Sequence, residues 1–350
     1  MSAETPIQVS LLTGFLGSGK TTLLNALLRH ESMAETAVLI NEFGDIGIDH
    51  SLVETVDPDM IELTTGCLCC TVQGDLTRAL REIFIKRVKK EIKPFKRVLV
   101  ESTGLADPAP VIQTLVNDPV IVHRYSLDGI IATVDALHAP GQLTRHEECK
   151  RQAAVADRLV ITKTDMATTD QVSLCKEVLR NLNPAAPTFE VVSGDIHPDK
   201  LFDCGLFNPS KKTYDVQNWL KAESYHDNHD HHHDHDHKSH DKNRHDENIN
   251  AWCLEYNDPI PWPVFIAWIT TITDNHGERV LRLKGIVNIE GEDQPLAIHG
   301  VQHIFHPPAK LPSWPKGEKK TKMVFIVDRL SKAEIEGHLE KLRENAKKFK

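Results

Sequence analysis

The sequence has no apolar run of about 18 residues, so it offers no candidate for a bilayer-spanning helix. It also lacks an excess of basic residues: 41 Lys plus Arg stand against 50 Asp plus Glu, for a formal net charge of -9. That balance excludes the electrostatic footprint expected of a nucleic-acid or anionic-membrane binder, and neither is expected as a partner. The opening "MSAETPIQVSLLTG" carries no basic n-region and no apolar h-region, so the protein is expected to stay in the cytoplasm. Aromatic residues make up only 6% of the 350, yet 40% are hydrophobic, enough aliphatic material for more than one core. The seven cysteines are too unevenly spaced for a disulfide framework, and a reducing compartment would keep them as thiols. Cys149, Cys175, Cys204 and Cys253 are expected to be ordinary buried residues. The other three, Cys67, Cys69 and Cys70, crowd into "TTGCLCCTVQGDL".

Three stretches follow one another along the chain. Over residues 1–210, the runs "IQVSLLT", "AVLIN", "RVLVES", "GIIATVD", "RLVITK" and "TFEVVS" alternate with helix-like segments. They are apolar throughout rather than alternating, which predicts a doubly wound α/β domain with a mostly parallel sheet covered on both faces. Over 211–250 the composition collapses, above all between Tyr225 and Asn248, to His, Asp, Asn, Lys and Ser without periodicity, as in a disordered linker. From 251 to 350 the chain regains Trp, Ile, Val and Phe, and ends in "SKAEIEGHLEKLREN", where Ser331 is placed to cap an amphipathic helix. A smaller α+β domain is expected there.

The first strand runs into "GFLGSGKTT", which matches G-x-x-x-x-G-K-[ST] with Gly14, Gly19, Lys20 and Thr21, and a helix-like segment follows. In such a loop Gly14, Gly17, Ser18, Gly19, Thr21 and Thr22 turn backbone N–H groups toward phosphate oxygens. Lys20 reaches the β- and γ-phosphates, and the Thr21 hydroxyl ligates Mg²⁺. "RVLVESTG" delivers Glu101 and Gly104 at a strand end, a carboxylate for Mg²⁺-bound water and an N–H for a γ-phosphate. "LVITKTD" ends in Thr162, Lys163 and Asp165, the [NT]-K-x-D pattern of guanine recognition. Its carboxylate accepts from the two N–H donors on one edge of guanine, a pair that adenine lacks. GTP is therefore favoured over ATP, with Thr162 standing where Asn is usual, and Ser193 in "VSGD" closing the base pocket.

The cysteine cluster falls between two of these motifs, after "INEFGDIGID" with Asn41, Glu42 and Asp45 and before the strand that carries Glu101. Thiolates at i, i+2 and i+3 can converge on one borderline cation, with Glu42, Asp45, water or a partner as fourth ligand. Three protein ligands leave a position open, which suits transfer better than permanent binding. A redox C-x-x-C pair, Cys67 with Cys70, and a buried thiol cluster are the alternatives. Nine of the chain's 20 histidines lie in "YHDNHDHHHDHDHKSHDKNRHDE". At that density neutral imidazoles bind Zn²⁺, Ni²⁺, Co²⁺ or Cu²⁺ with fast exchange, so the tract is a candidate metal antenna as well as a spacer.

Taken in order, "GFLGSGKTT", "NEFGDIGID", "GCLCC", "ESTGLADP" and "TKTD" resemble the CobW-type P-loop GTPases, relatives of the nickel-insertion GTPases of hydrogenase and urease. "RLKGIVNIEG" and "GVQHIFHP" resemble that family's C-terminal domain. The resemblance implies GTP held by Gly14 to Thr22 with Lys163 and Asp165, and Mg²⁺ near Thr21 and Glu101. It further implies Zn²⁺, or Co²⁺, at Cys67, Cys69 and Cys70. Lys20, Glu101 and Asp45 are then the candidate catalytic residues, Glu42 a further metal ligand, and a client metalloprotein the expected partner. A metal buffer indifferent to GTP and a P-loop ATPase or kinase are the competing readings.

Overall fold

The computed structural model describes residues 6–40, 72–204, 249–305, 307–315 and 318–348. The chain divides into two compact units, Met1–Asp215 and Val216–Lys350. Glu42, Asp45, the three crowded cysteines and the His/Asp tract lie outside the described residues.

The first unit is built on β1 (Ile7–Gly14), β2 (Thr36–Ile40), β3 (Arg97–Glu101), β4 (Tyr125–Asp135), β5 (Arg158–Thr162) and β6 (Thr188–Glu190). Their spatial order is β2-β3-β1-β4-β5-β6, and every pairing is parallel. Leu12, Leu99, Ile131 and Val160 pack on one face against Leu23, Leu24 and Leu27 of α1 (Lys20–Leu28). Their chain neighbours Leu11, Val98, Ile130 and Leu159 point to the opposite face and are also buried. A strand buried on both faces has no use for alternation, which is why these runs read as continuously apolar. β6 departs from the expected "TFEVVS": it is three residues long with its ends exposed, because it is the sheet's edge and has one neighbour. Around the sheet lie α2 (Val72–Val88), α3 (Ala109–Asn117), α4 (Ala139–Arg145), α5 (Glu147–Val155) and α6 (Thr169–Leu182). A reciprocal Thr168–Gln171 capping box starts α6.

The strand order sets where chemistry can occur. β1 and β3 are neighbours whose connections leave in opposite directions, that of β1 toward β2 and that of β3 toward β4, so a crevice opens at their carboxyl ends. Among the described residues, the glycine-rich loop, Glu101 with Gly104, Thr162 to Asp165 and the Ser193 turn sit at or just beyond the carboxyl ends of β1, β3, β5 and β6.

The second unit is an antiparallel sheet covered by two helices, the α+β arrangement expected. It comprises β7 (Ile249–Tyr256), α7 (Trp262–His276), β8 (Val280–Val287), β9 (Leu296–Val301), β10 (Ile304–Phe305), β11 (Ala309–Lys310), β12 (Thr321–Asp328) and α8 (Lys332–Lys348). The sheet order is β10-β9-β8-β12-β7, with β11 added to β9. β7 begins at Ile249, two residues before the composition recovers, because Ile249 and Asn250 already pair with Asp328 and Val327. Trp268 is fully buried against Phe325, ring centroids 6.3 Å apart, and donates its indole N–H to the Ile335 carbonyl at 3.0 Å. Ser331 and Glu334 form the capping box that opens α8: Glu334 N donates to Ser331 Oγ (3.3 Å) and the Glu334 carboxylate accepts from Ser331 N (2.9 Å). Among the described residues no helix is long and apolar enough to cross a membrane.

Candidate functional site

The loop from Gly14 to Lys20 is held from three sides. Gly14 has φ of +142°, and a Cβ there would stand 2.2 Å from Thr133 Oγ1 and 2.7 Å from Ser18 Oγ, so any side chain collides with β4. Gly17 (φ +71°) has open space around it, and its requirement is the left-handed backbone alone. Gly19, also left-handed at +89°, caps α1 without a side-chain bond, leaving the first N–H groups of the helix directed into the loop. No acidic residue occupies that first turn, so the positive end of the helix dipole is not offset locally. Lys20 folds back over the cradle, donating from Nζ to the carbonyls of Gly14 (2.9 Å) and Phe15 (3.3 Å). Ser18 is buried, its hydroxyl 2.6 Å from Thr133 Oγ1.

β3 brings the second element alongside. Glu101, buried at the strand end, accepts a hydrogen bond from Thr21 Oγ1 at 3.1 Å. A hydroxyl and a carboxylate at this distance form a hard oxygen pair that fits Mg²⁺. Gly104 approaches the loop so closely that a Cβ would lie 2.7 Å from Leu16 N. Gln152, buried on α5, braces this turn by donating to the carbonyls of Gly104 (3.1 Å) and Ala106 (3.0 Å).

Thr162 ties the third element to the first: its hydroxyl donates to the Ser18 carbonyl at 2.7 Å. The residue that departs from the usual Asn thus anchors the phosphate-type loop to β5. Lys163 has a positive φ of 56°, and its Nζ donates to Asp135 Oδ2 at 2.8 Å. Asp135 ends β4 and is buried; it also accepts from Leu137 N (2.8 Å) and faces His138 Nδ1 (3.0 Å). Burial works against its ionised form, but the Lys163 and His138 hydrogen bonds and the Leu137 N–H outweigh it and hold the pKa below the usual carboxylate range. Asp165 is exposed at the mouth of this edge. Ser193 and Gly194 are both left-handed, and a Cβ on Gly194 would lie 2.8 Å from the Thr22 carbonyl, so this turn packs on α1.

The structure therefore collects Gly14, Gly17, Ser18, Gly19, Lys20, Thr21, Thr22, Glu101, Gly104, Lys163, Asp165 and Ser193 along one sheet edge. Asp135, Gln152 and Thr133 join them without having been singled out in the sequence. Asp135 had a signal, since it closes the apolar run "GIIATVD" as Glu101 closes "RVLVE". Gln152 and Thr133 had none.

Similarity to known proteins agrees with this architecture. A family model described as CobW/HypB/UreG, nucleotide-binding domain, matches residues 8–190, and one described as the cobalamin synthesis protein cobW C-terminal domain matches 249–343. The chain belongs to the CobW/HypB/UreG family. The zinc chaperone YjiA of Escherichia coli (strain K12) is 34% identical to it, over 97% of this chain and 99% of that protein. The zinc chaperone CobW of Sinorhizobium sp is 27% identical over 91% and 92% of the two chains. The crystal structure of Zn(II)-bound YjiA GTPase from E. coli superposes with a TM-score of 0.69 at 32% identity, covering 97% of this chain and 99% of that one. For a member of this family, the glycine cradle, the Thr21–Glu101 pair and the Lys163 corner lie where its nucleotide-binding domain is matched.

Proposed function

We propose that this protein is a cytosolic GTP-hydrolysing zinc chaperone, which carries Zn²⁺ on Cys67, Cys69 and Cys70 and passes it to a client metalloprotein in step with its nucleotide state. GTP lies with its phosphates over Gly14 to Thr22 under Lys20, and its guanine between Lys163, Asp165 and the Ser193 turn. Mg²⁺, when bound near Thr21 and Glu101, supplies charge for the phosphates. Glu101 accepts the Thr21 hydroxyl and keeps it aimed inward, and Asp135 holds the Lys163 stem where it covers the base. Asp45 acts near the γ-phosphate, and Glu42 is the candidate fourth ligand for the carried ion. The relatives named as zinc chaperones support zinc as the cargo, while a C-x-C-C donor set also accepts Co²⁺.

The observation that carries this reading is a register. Ile40, the last residue of β2, pairs with Glu101 of β3. The chain that leaves β2 toward Glu42, Asp45 and the cysteines thus departs from beside the carboxylate that bonds Thr21, and it returns at α2. Such placement supports linkage: if nucleotide changes metal affinity, metal changes nucleotide affinity by the same factor.

Two substitutions separate the parts. Lys20→Ala should reduce GTP turnover at least 100-fold, an order-of-magnitude figure for a lost phosphate contact, and leave zinc bound in GDP. Cys69→Ser should weaken zinc about tenfold or more while GTP still binds, because a thiolate ligand is lost outside the cradle. Normal turnover in the first and unchanged zinc affinity in the second would contradict both assignments.

A further inference from the structure

Two imidazoles meet in the second unit, far along the chain from the cysteine motif. His276 is the last residue of α7 and His338 lies in the second turn of α8. Their Nε2 atoms are 3.3 Å apart, with ring centroids at 5.5 Å. For a hydrogen bond from a ring N–H this is long, the usual separation being about 2.9–3.0 Å. For two imidazoles on one tetrahedral ion it is the required bite: Zn–N bonds of about 2.0–2.1 Å at the tetrahedral angle set the nitrogens about 3.3–3.4 Å apart.

The surroundings suit a neutral His276 ring. Burial, the neighbouring His338 and Arg279 all hold His276 below the ordinary imidazole value, while Glu334 works in the opposite sense. The His276 ring is thereby favoured in its neutral form, the form that ligates a metal. Glu334 and His338 are four apart and share a face of α8, so a carboxylate stands near the pair and favours a cation. Arg279 opposes it, although its Nε is turned to the Asp328 carbonyl at 3.2 Å.

We infer that His276 and His338 form a two-histidine site for a borderline divalent ion of the Zn²⁺ class in the second unit. Among the described residues no three His, Cys, Asp or Glu side chains gather closely enough to hold an ion. The protein therefore provides two ligands here and water completes the shell. An incomplete shell of this kind exchanges readily, unlike a closed four-ligand structural site.

The test uses the full chain with Zn²⁺ alone as probe. Four proteins, the unaltered chain, H276Q, H338Q and the double variant, are dialysed to equilibrium against the same buffered Zn²⁺ and their metal content is measured. The cysteines and the His/Asp tract are common to all four and cancel. Each single variant should hold one Zn²⁺ fewer than the unaltered chain, and the double variant no fewer than either single one, because the chelate needs both rings. Equal zinc content in all four overturns the site. A second measurement needs no variant to fold: histidine side-chain ¹⁵N spectra of the unaltered chain. The signals of both rings should shift together as Zn²⁺ is added, and rings that stay unmoved while other histidines shift overturn the proposal.

Discussion

Asp135 carries a charge that its burial opposes, and three donors keep it ionised: Lys163, His138 and the Leu137 N–H. Its value lies in position, since the carboxylate holds a lysine whose own backbone sits in the left-handed region. Asp135→Asn should raise the KM for GTP about tenfold, equivalent to about 1.4 kcal/mol, with a smaller change for nucleotides in which the base contact is absent. The pH dependence has a definite sign. A carboxylate whose folded pKa is depressed contributes stability above its unfolded value, near 3.9, and loses it as pH falls through the lower folded value. The stability difference between the wild type and Asp135→Asn, measured by denaturant unfolding, should therefore be constant near neutrality and shrink only in strong acid. A difference that already vanishes at pH 6 would contradict the ion pair.

Of the other thiols, Cys149, Cys175 and Cys204 are buried as expected, whereas Cys253, on a strand at the edge of its sheet, is only half-buried. Burial pushes the pKa of Cys149 and of Cys175 up to about 12 and that of Cys253 to about 11. Near pH 8 their thiolate fraction is about one in a thousand or less. A thiol reagent applied to the native protein should modify Cys149 and Cys175 only on the timescale of unfolding, with peptide mass spectrometry as the readout. Rapid labelling of Cys149 or Cys175 would show that α5 and α6 open.

At the scale of elements, β1, β3, β4, β5 and β6 each lead into a piece of the site, and that regularity made much of it legible. Strands buried on both faces announce themselves as apolar runs, and the glycines of the cradle are forced by contacts a side chain cannot make, as Gly14 and Thr133 show. What was not legible has a physical reason. Gln152 acts on two carbonyls from a helix 46 to 48 residues away in the chain, a relation that no local pattern encodes. The His276–His338 approach likewise spans 62 residues and depends on how α7 and α8 pack. β6 was overestimated because apolarity persists through Val191 and Val192 after the ladder with β5 ends at Glu190. In the second unit, Trp268 joins α7 to both the sheet and α8. Trp268→Ala should cost about 3–5 kcal/mol, seen as a lower denaturant midpoint for that unit, while Trp268→Phe, which keeps most of the ring contact, should cost less.

At the scale of the molecule, a nucleotide-binding unit carries a thiol-rich segment spliced between β2 and α2, and a His/Asp-rich tract leads into a second folded unit. Nothing in this order requires GTP turnover if metal is merely stored. Directional delivery does require it, because only a change in nucleotide state alters the free energy of the bound ion during a cycle. The most direct measurement is a Zn²⁺ competition titration against a chromophoric chelator, in Mg²⁺ with a non-hydrolysable GTP analogue and again with GDP. It is run on the full chain and on a chain lacking residues 225–248, so that the histidine tract is subtracted. A zinc affinity differing at least tenfold between the two nucleotide states, about 1.4 kcal/mol of coupling, is the predicted result. Equal affinities would contradict it and uncouple zinc binding from the nucleotide state.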